Sequence, residues 1–185
     1  MATQMREYIL SVASDLFSTQ GINATSVDTI VAKADIAKVT LYKYFKSKEQ
    51  LILEYLREYD ERLWAKLSEI TAHQDDAASK LSALVNGMLD WIGDPKFKGF
   101  AFINASVEFP QSDNPVHQSS LEFAQTFRRT LAELAREAGL KNADALALQL
   151  ALVVEGAAIT ERTQRGTGAV DNAKALVNTL IDTAS

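Results

Sequence analysis

Positions 6–52 read REYILSVASDLFSTQGINATSVDTIVAKADIAKVTLYKYFKSKEQLI, and apolar residues recur there every three or four positions. That period predicts helices rather than strands. Gly21 is a suitable C-terminal stop for a first helix, and Thr25 is the expected N-cap of a second helix that ends near Ala34. A third short helix is expected over about residues 38–45. Three short helices with a tight turn between the last two have the layout of a helix-turn-helix.

The helical period continues through the rest of the chain, so we predict an all-helical protein. Ser47 followed by Gln50 indicates a capping box that opens a long fourth helix. Five further helical segments follow, the last with Asp171 as its expected N-cap, and no strand-like alternation stands out. The predicted organisation is an N-terminal three-helix head over residues 1–46 and a larger helical body over residues 47–185.

The composition limits the class of protein. With 47% hydrophobic and 23% charged residues, the chain has the composition of an ordinary soluble globular protein. It contains no cysteine, which excludes disulfides, thiolate nucleophiles and cysteine-ligated metal sites. The first residues lack the apolar stretch of a signal peptide, and the most apolar segment, residues 143–159, is interrupted by Gln149 and Glu155. We expect a soluble, cytoplasmic protein in which this segment is too short and too polar to span a membrane.

Charge is divided unevenly along a chain whose net charge is -5. Residues 1–51 carry six basic and five acidic side chains, whereas residues 52–185 carry 13 basic and 19 acidic ones. The lysines near aromatic residues at the end of the head are Lys38, Lys43, Lys46 and Lys48. This asymmetry favours a nucleic-acid-facing head on an acidic body. Taken alone, the lysine run fits a solvated face over core aromatic residues better.

In a helix-turn-helix, the second helix crosses the DNA backbone and the third lies in the major groove. We expect Leu41 and Phe45 to pack inward from the third helix. The residues expected to face outward from that helix are Lys38, Thr40 and Lys43, and those expected to approach phosphates are Tyr42, Lys46 and Lys48. Positive charge there neutralises phosphates and releases counterions, which supplies most of the non-specific affinity for DNA.

The residue order over positions 6–52 resembles the N-terminal domain of TetR-type transcriptional regulators. The matching landmarks are Ile9, Leu10, Ala13, Leu16, Phe17, Gly21, Thr25, Ile30, Ala34, Leu41, Tyr42, Tyr44, Phe45, Lys48 and Glu49. The resemblance implies an all-helical homodimer whose two heads grip a near-palindromic operator, most often as a repressor. It also implies that residues 47–185 form an effector-binding and dimerisation domain, in which a small ligand changes the spacing of the heads.

Family positions that touch DNA are carried over residue by residue. Family positions that commonly contact DNA correspond to Thr25, Thr40, Tyr42 and Lys48 of this chain. Family positions near base edges correspond to Lys38 and Val39. The chain departs from the family in the turn, where Asp35 and Ala37 stand in place of the usual glycine and serine. Losing a serine N-cap costs about 0.5–2 kcal/mol, and a left-handed turn at Asp35 would offset part of that cost. Val39, where glycine is frequent, can contact a thymine methyl group and so change the operator sequence.

Positions 99–109, GFAFINASVEF, resemble a segment of one TetR branch in which the second residue is usually cysteine. Phe100 replaces that cysteine, while Gly99, Asn104 and Glu108 match the segment. Asn104 and Glu108 are four residues apart and share a helix face. We predict a pocket for a small, mostly apolar or aromatic effector, lined by Trp64, Trp91, Phe102, Asn104, Glu108, Phe123 and Phe127. The alternative is a buried Asn104–Glu108 pair that holds helices together.

The last two predicted helices carry an apolar surface suited to a symmetric interface. The first of them contains the alanine-rich sequence ADALALQLALVVEGAAI, residues 143–159, which permits close helix approach. The predicted interface residues are Leu146, Leu150, Val153, Val154, Leu176 and Leu180. The alternative is that these residues form core packing within one chain.

No sequence pattern indicates a metal, cofactor or catalytic site. His73 and His117 are far apart, and neither a nucleophile motif nor a phosphate-binding glycine loop is present. The leading hypothesis is therefore a ligand-responsive DNA-binding repressor without enzymatic activity. The alternatives are a helical small-molecule-binding protein or enzyme without operator binding, and an interaction bundle that does not bind DNA.

Overall fold

The computed structural model describes residues 2–185, which fold into α-helices joined by short loops. The helices are α1 (Ala2–Gln20), α2 (Val27–Ala34), α3 (Lys38–Tyr44), α4 (Lys48–Ala72), α5 (Ala77–Gly93), α6 (Ala101–Glu108), α7 (Pro115–Glu137), α8 (Ala143–Thr163) and α9 (Ala169–Ala184). No strand occurs in the described part of the chain, which confirms the predicted all-helical class.

Contacts between residues divide the chain into two compact units. The first unit contains the residues up to Glu61 together with Phe100–Leu121, and the second contains Arg62–Gly99 together with Glu122–Ser185. Helices α4 and α7 therefore contribute residues to both units, and α6 belongs to the same unit as the predicted head. The predicted domain boundary after residue 46 stays a prediction.

Burial in the first unit follows the predicted apolar faces of the head. Leu41 and Phe45 are both 0% exposed, which confirms that they pack inward. The guanidinium group of Arg6 lies 4.9 Å from the centre of the Phe45 ring, and its Nη2 lies 3.0 Å from Oε1 of Glu54. One arginine thus links α1 both to the aromatic residue that follows α3 and to α4.

The helix caps agree with the sequence prediction only in part. Helix α2 is capped by Ser26, whose Oγ accepts a first-turn backbone N–H at 3.0 Å, rather than by Thr25. Asp171 lies within the first turn of α9 instead of preceding that helix. The hydrogen bond predicted at the start of α4 is confirmed, because Ser47 Oγ accepts the Gln50 N–H at 3.0 Å. Thr25 and Ser26 are adjacent and both able to cap a helix, so the sequence prediction misplaced the start of α2 by one position.

Helix α8 lies in the second unit, where it packs against α5 and α9. It is 21 residues long with a mean hydropathy of 1.5 in its most apolar window, so by length and composition alone it is able to cross a membrane. This corrects the expectation that the segment is too short and too polar. In the structure 44% of that window is buried within the fold.

Candidate nucleic-acid interface

The turn between α2 and α3 sets the orientation of the predicted recognition helix. Asp35 takes a left-handed conformation there, with φ 52° and ψ 48°, and the Ile36 N–H donates to the Val31 carbonyl at 3.1 Å. Aspartate tolerates this conformation better than most residues do, so it fills the position without a glycine. Ala37 precedes α3 and makes no side-chain cap, as the loss of the usual serine implies.

Helix α3 has one buried side and one open side. Leu41 is fully buried, whereas Val39 is 76% exposed and Tyr42 is 44% exposed. Lys43 is also exposed, and Thr40 is half-buried. The open side therefore offers methyl groups, hydroxyl groups and an ammonium group, which are the groups that contact thymine methyls, base edges and phosphates in a major groove.

Lys38 is exposed, but its ammonium group already has a partner within the head. Its Nζ lies 2.9 Å from Oδ1 of Asp28 on α2. The hydrogen bond with Asp28 and the charge of its carboxylate raise the pKa of Lys38. The carboxylate also offsets the unfavourable position of a lysine at the positive N-terminus of α3. The predicted base contact of Lys38 therefore requires the ammonium group to exchange Asp28 for DNA.

Thr25 does not lie on the open surface. It is 0% exposed, and its hydroxyl donates to the Gly21 carbonyl at 2.7 Å. The side chain closes the turn between α1 and α2, while the next residue, Ser26, caps α2. A contact between the Thr25 side chain and DNA does not fit this placement. The structure assigns Thr25 a structural role inside the head.

The remaining predicted phosphate contacts are Lys46, which lies two residues before α4, and Lys48, which begins α4. Lys46 is exposed, and Lys48, the first residue of the helix, is half-buried. Burial lowers the pKa of Lys48, while the charge of the Glu108 carboxylate acts in the opposite direction. Lys46 is thus the more open cation, and Lys48 faces a carboxylate of its own chain.

Glu108, which was expected to orient an effector, contacts the turn between α1 and α2. Its Oε1 accepts the Ile22 N–H at 2.9 Å, and its Oε2 accepts the Asn23 N–H at 2.5 Å. Asn23 Nδ2 donates to the Glu108 carbonyl at 3.0 Å. Gly21 has a φ of +94°, and a β-carbon on it would lie 3.4 Å from Oε1, so the turn approaches the carboxylate closely. The predicted effector role of Glu108 is corrected, because backbone amides of the head occupy both of its oxygens.

The other predicted effector residues are divided between the two compact units. Phe102 and Asn104 lie on α6 in the first unit, where the Phe102 ring is 5.7 Å from the Tyr59 ring. Trp91 lies in the second unit and packs edge-on against Phe97, with 5.5 Å between the ring centroids. Phe102 and Phe97 are both buried, so these two side chains contribute to core packing.

Three of the predicted aromatic residues do meet in the second unit. The Trp64 ring lies 6.4 Å from Phe123 and 6.5 Å from Phe127, and the two phenylalanine rings stack at 6.2 Å. Trp64 also borders a surface cavity of about 210 Å³. The residues around this cavity are Trp64, Leu67, Ser68, Thr71, Lys80, Leu84, Thr130, Glu133, Leu134 and Glu137. Among the predicted effector residues, Trp64 alone lines it.

The predicted dimer residues are divided between the core and the surface. The buried ones are Leu146, Leu150 and Val154, the half-buried ones are Val153 and Leu180, and the exposed one is Leu176. The three buried residues are at most 2% exposed, so they pack inside the second unit. They are not available to a partner, which corrects half of the predicted interface.

The open apolar side of α8 consists of residues that the sequence prediction did not select. Leu148, Leu152 and Ile159 are 44%, 57% and 49% exposed, and Leu176 of α9 is 48% exposed. An open groove of about 580 Å³ between α8 and α9 is lined by Leu152, Val153, Gly156, Ala157, Thr160, Thr167, Ala169, Asn172, Ala173 and Leu176. Alanines and leucines occur on both sides of α8, so the helical period alone was unable to identify the open side.

Comparison with known proteins connects this geometry with bacterial regulators. Residues 9–55 match the family model described as bacterial regulatory proteins, tetR family. Among solved structures, SCO4454, a TetR-family transcriptional regulator from Streptomyces coelicolor, superposes with a TM-score of 0.94 at 28% sequence identity. The match covers 99% of this chain and 97% of that one.

Two curated relatives are similar over different lengths. The HTH-type transcriptional repressor KstR2 of Rhodococcus jostii (strain RHA1) is 39% identical over 80 residues, which is 43% of this chain and 39% of KstR2. The HTH-type transcriptional regulator YjdC of Escherichia coli (strain K12) is 24% identical over 178 residues, covering 95% of this chain and 93% of YjdC. The match to KstR2 spans less than half of that relative, whereas the match to YjdC is nearly full-length.

Proposed function

Because the chain belongs to the tetR family of bacterial regulatory proteins, we propose that it regulates transcription by binding operator DNA as a homodimer. The observation that carries the proposal is the open side of α3, within a head whose residues 9–55 match the family. Two such heads in a symmetric dimer suit a near-palindromic operator with half-sites about one helical turn apart. Repression in the cytoplasm, rather than catalysis, is the proposed role, in keeping with a relative described as a repressor.

The residues of the head divide into two groups by the part of DNA that they contact. Base edges are read by Val39, Thr40 and Lys43, and phosphates are held by Tyr42, Lys46 and Lys48. Lys38 joins the first group once its ammonium group leaves Asp28. Phosphate contacts give the affinity its salt dependence, whereas the α3 residues select the operator sequence.

The homodimer forms through the open apolar side of α8 and the neighbouring part of α9. Leu148, Leu152, Ile159 and Leu176 supply exposed apolar surface there, next to the α8–α9 groove. Burying this surface against an identical copy removes it from water, which is the main favourable contribution to association. A two-fold axis would bring the same residues from both chains together.

The effector binds beside Trp64. The cavity combines the apolar side chains Trp64, Leu67 and Leu84 with polar groups that include Lys80 and Thr130. At about 210 Å³ it is smaller than the roughly 300–1,000 Å³ of pockets for drug-sized molecules, so it suits a small, mostly apolar or aromatic ligand with one or two hydrogen-bonding groups. Helix α4 contributes residues to both compact units and is therefore the proposed connection between effector and head. Release of DNA requires the ligand to bind the DNA-incompetent state more tightly.

A DNA-binding titration tests this function. Duplexes are enriched from a randomised pool with the wild-type protein, and the affinity for the selected operator is compared with that for a scrambled duplex of equal length. We expect selective binding whose log K falls linearly with log salt, with a slope of about -0.9 for each neutralised phosphate. If the folded protein enriches no duplex, the proposed function is wrong. A helical small-molecule-binding protein or enzyme without operator binding would then be favoured.

A further inference from the structure

We propose that Glu108 is a positioning residue for operator recognition, because its carboxylate holds the α1–α2 turn of the head through two backbone amides. This inference rests on the proposed DNA-binding function. It assigns to α6, a helix outside the helix-turn-helix itself, a direct part in the geometry of DNA binding.

The contact between Glu108 and the turn uses every available oxygen. Oε1 accepts from Ile22 at 2.9 Å, Oε2 accepts from Asn23 at 2.5 Å, and the main-chain carbonyl of Glu108 accepts from the Asn23 side chain at 3.0 Å. Hydrogen bonds between an N–H and an ionised carboxylate are about twice as strong as neutral ones. The contact joins residues 85 and 86 positions apart in the chain, so it restrains the turn from outside the local helix pattern.

The turn held by Glu108 governs the placement of the helices that follow it. It leads directly into α2, and α2 packs against both α1 and α3. On the inner side of the same turn, the buried Thr25 hydroxyl donates to the Gly21 carbonyl at 2.7 Å. With Thr25 inside and Glu108 on the α6 side, the turn has restraints on two sides. Functional groups need to be held within about 0.5 Å of their productive geometry, so a restraint on this turn matters for the placement of α3.

Glu108 also affects a cation of the proposed DNA interface. Lys48 starts α4 and is half-buried, and the charge of Glu108 favours its protonated form against the effect of burial. Glu108 thus acts on the turn through hydrogen bonds and on Lys48 through its charge.

The proposal and simple charge repulsion predict opposite changes in operator affinity when Glu108 is neutralised. Glu108 is negative and lies near proposed phosphate contacts, so its neutralisation should increase affinity for any DNA if repulsion is its only effect. Loss of positioning instead lowers affinity for the selected operator, because the base contacts of α3 lose their alignment. Affinity for a scrambled duplex depends mainly on charge and stays constant or increases. The ratio of the two affinities therefore separates the two explanations.

The experiment compares Glu108→Gln and Glu108→Ala with wild type and with a matched control, Val107→Ala. Val107 is the neighbouring residue on α6 and is 75% exposed, so its truncation leaves the turn contact intact. Glutamine keeps the size of the side chain, but its amide group turns an N–H donor towards a backbone N–H. We expect operator affinity to fall about tenfold for Glu108→Gln, and by at least as much for Glu108→Ala, with the scrambled duplex unaffected or bound more tightly.

Three results would count against the inference, and each is measurable on folded dimer verified by circular dichroism and sedimentation. Equal increases in affinity for both duplexes would show that Glu108 acts only by charge repulsion. A lower melting temperature with unchanged operator affinity would show a structural role alone. Unchanged stability and affinity would show no role. The absence of a selectable operator for wild type would instead reject the proposed function, and Glu108→Gln decides the case if Glu108→Ala does not fold.

Discussion

Helices α3 and α8 both carry predicted binding surfaces, but only α3 presents to solvent most of the residues predicted to bind. On α3, Leu41 is 0% exposed and Val39 is 76% exposed, in agreement with the predicted inner and outer sides. On α8, the predicted interface residue Leu150 is 0% exposed, whereas its neighbour Leu152 is 57% exposed. The same helical period was therefore sufficient for one helix and misleading for the other.

The prediction succeeded for α3 and failed for α8 because the two sides of α3 differ more clearly in polarity. Lysines and hydroxyl-bearing residues alternate with apolar residues along α3, and burying an unpaired ammonium group is so costly that only one orientation is possible. Helix α8 carries large apolar residues on both sides, with Leu150 buried and Leu152 exposed, so apolar spacing alone does not identify the side that packs into the core. Four changes test the proposed DNA-binding and dimer surfaces, from the largest expected effect to the smallest.

Replacing Leu150 with alanine should have the largest effect, because it opens a cavity in the core beside α8. We expect the free energy of unfolding to fall by about 2–5 kcal/mol, measured by urea denaturation at fixed protein concentration. Arginine at the same position should prevent folding altogether, since it buries an unpaired charge. Soluble, folded Leu150→Arg monomers would return Leu150 to the dimer surface.

Replacing Leu152 with arginine should separate the subunits while each chain keeps its fold. The side chain is 57% exposed and borders the α8–α9 groove, so the added charge meets only a partner chain. We expect dimer affinity to fall about thirtyfold or more, as for a hot-spot residue, when measured by sedimentation equilibrium. Asn178→Arg, an exposed change on α9, serves as the control. Equal weakening by both variants would argue against this interface.

Replacing Lys48 with alanine tests the proposed phosphate contacts at the base of the head. The substitution removes one phosphate contact from each subunit, which should flatten the slope of log K against log salt by about 1.8 for the dimer. The affinity for all duplexes should fall to a similar extent, because phosphates carry no sequence information. Lys66→Ala, an exposed change on the same helix, should leave the slope as it is. An unchanged slope for Lys48→Ala would remove Lys48 from the interface.

Replacing Val39 with alanine should have the smallest effect, and it should concern sequence preference alone. The side chain is 76% exposed, so we expect the free energy of unfolding to change by no more than about 0.5 kcal/mol. If its methyl groups contact thymine, their removal costs about 1 kcal/mol per head at thymine-containing sites and nothing elsewhere. Competition between operator variants measures this ranking, and an unaltered ranking would exclude Val39 from base reading.

In the candidate interface, the sequence predicted which side chains are exposed but not the partners of Thr25 and Lys38. Lys43, Lys46 and Tyr42 are exposed as expected, because charged and amphipathic side chains are rarely buried without a partner. Thr25 matched a family position that commonly contacts DNA, yet its hydroxyl is bonded to Gly21 inside the head. Lys38 was expected to be open, and its pairing with Asp28 depends on the angle between α2 and α3. These two outcomes follow from the turns, which the helical period does not describe.

The amino-acid sequence was sufficient to derive the helical class, the helix-turn-helix and the inner side of α3. Those features depend on interactions among residues within a few positions of each other, where spacing and charge contrast act directly. Tertiary structure settled the open side of α8, the division of the aromatic residues between two compact units, and the hydrogen-bond partners of Glu108. The amides that bind this carboxylate lie 85 and 86 positions away in the chain. They reach it only because α6 packs against the head in the folded protein.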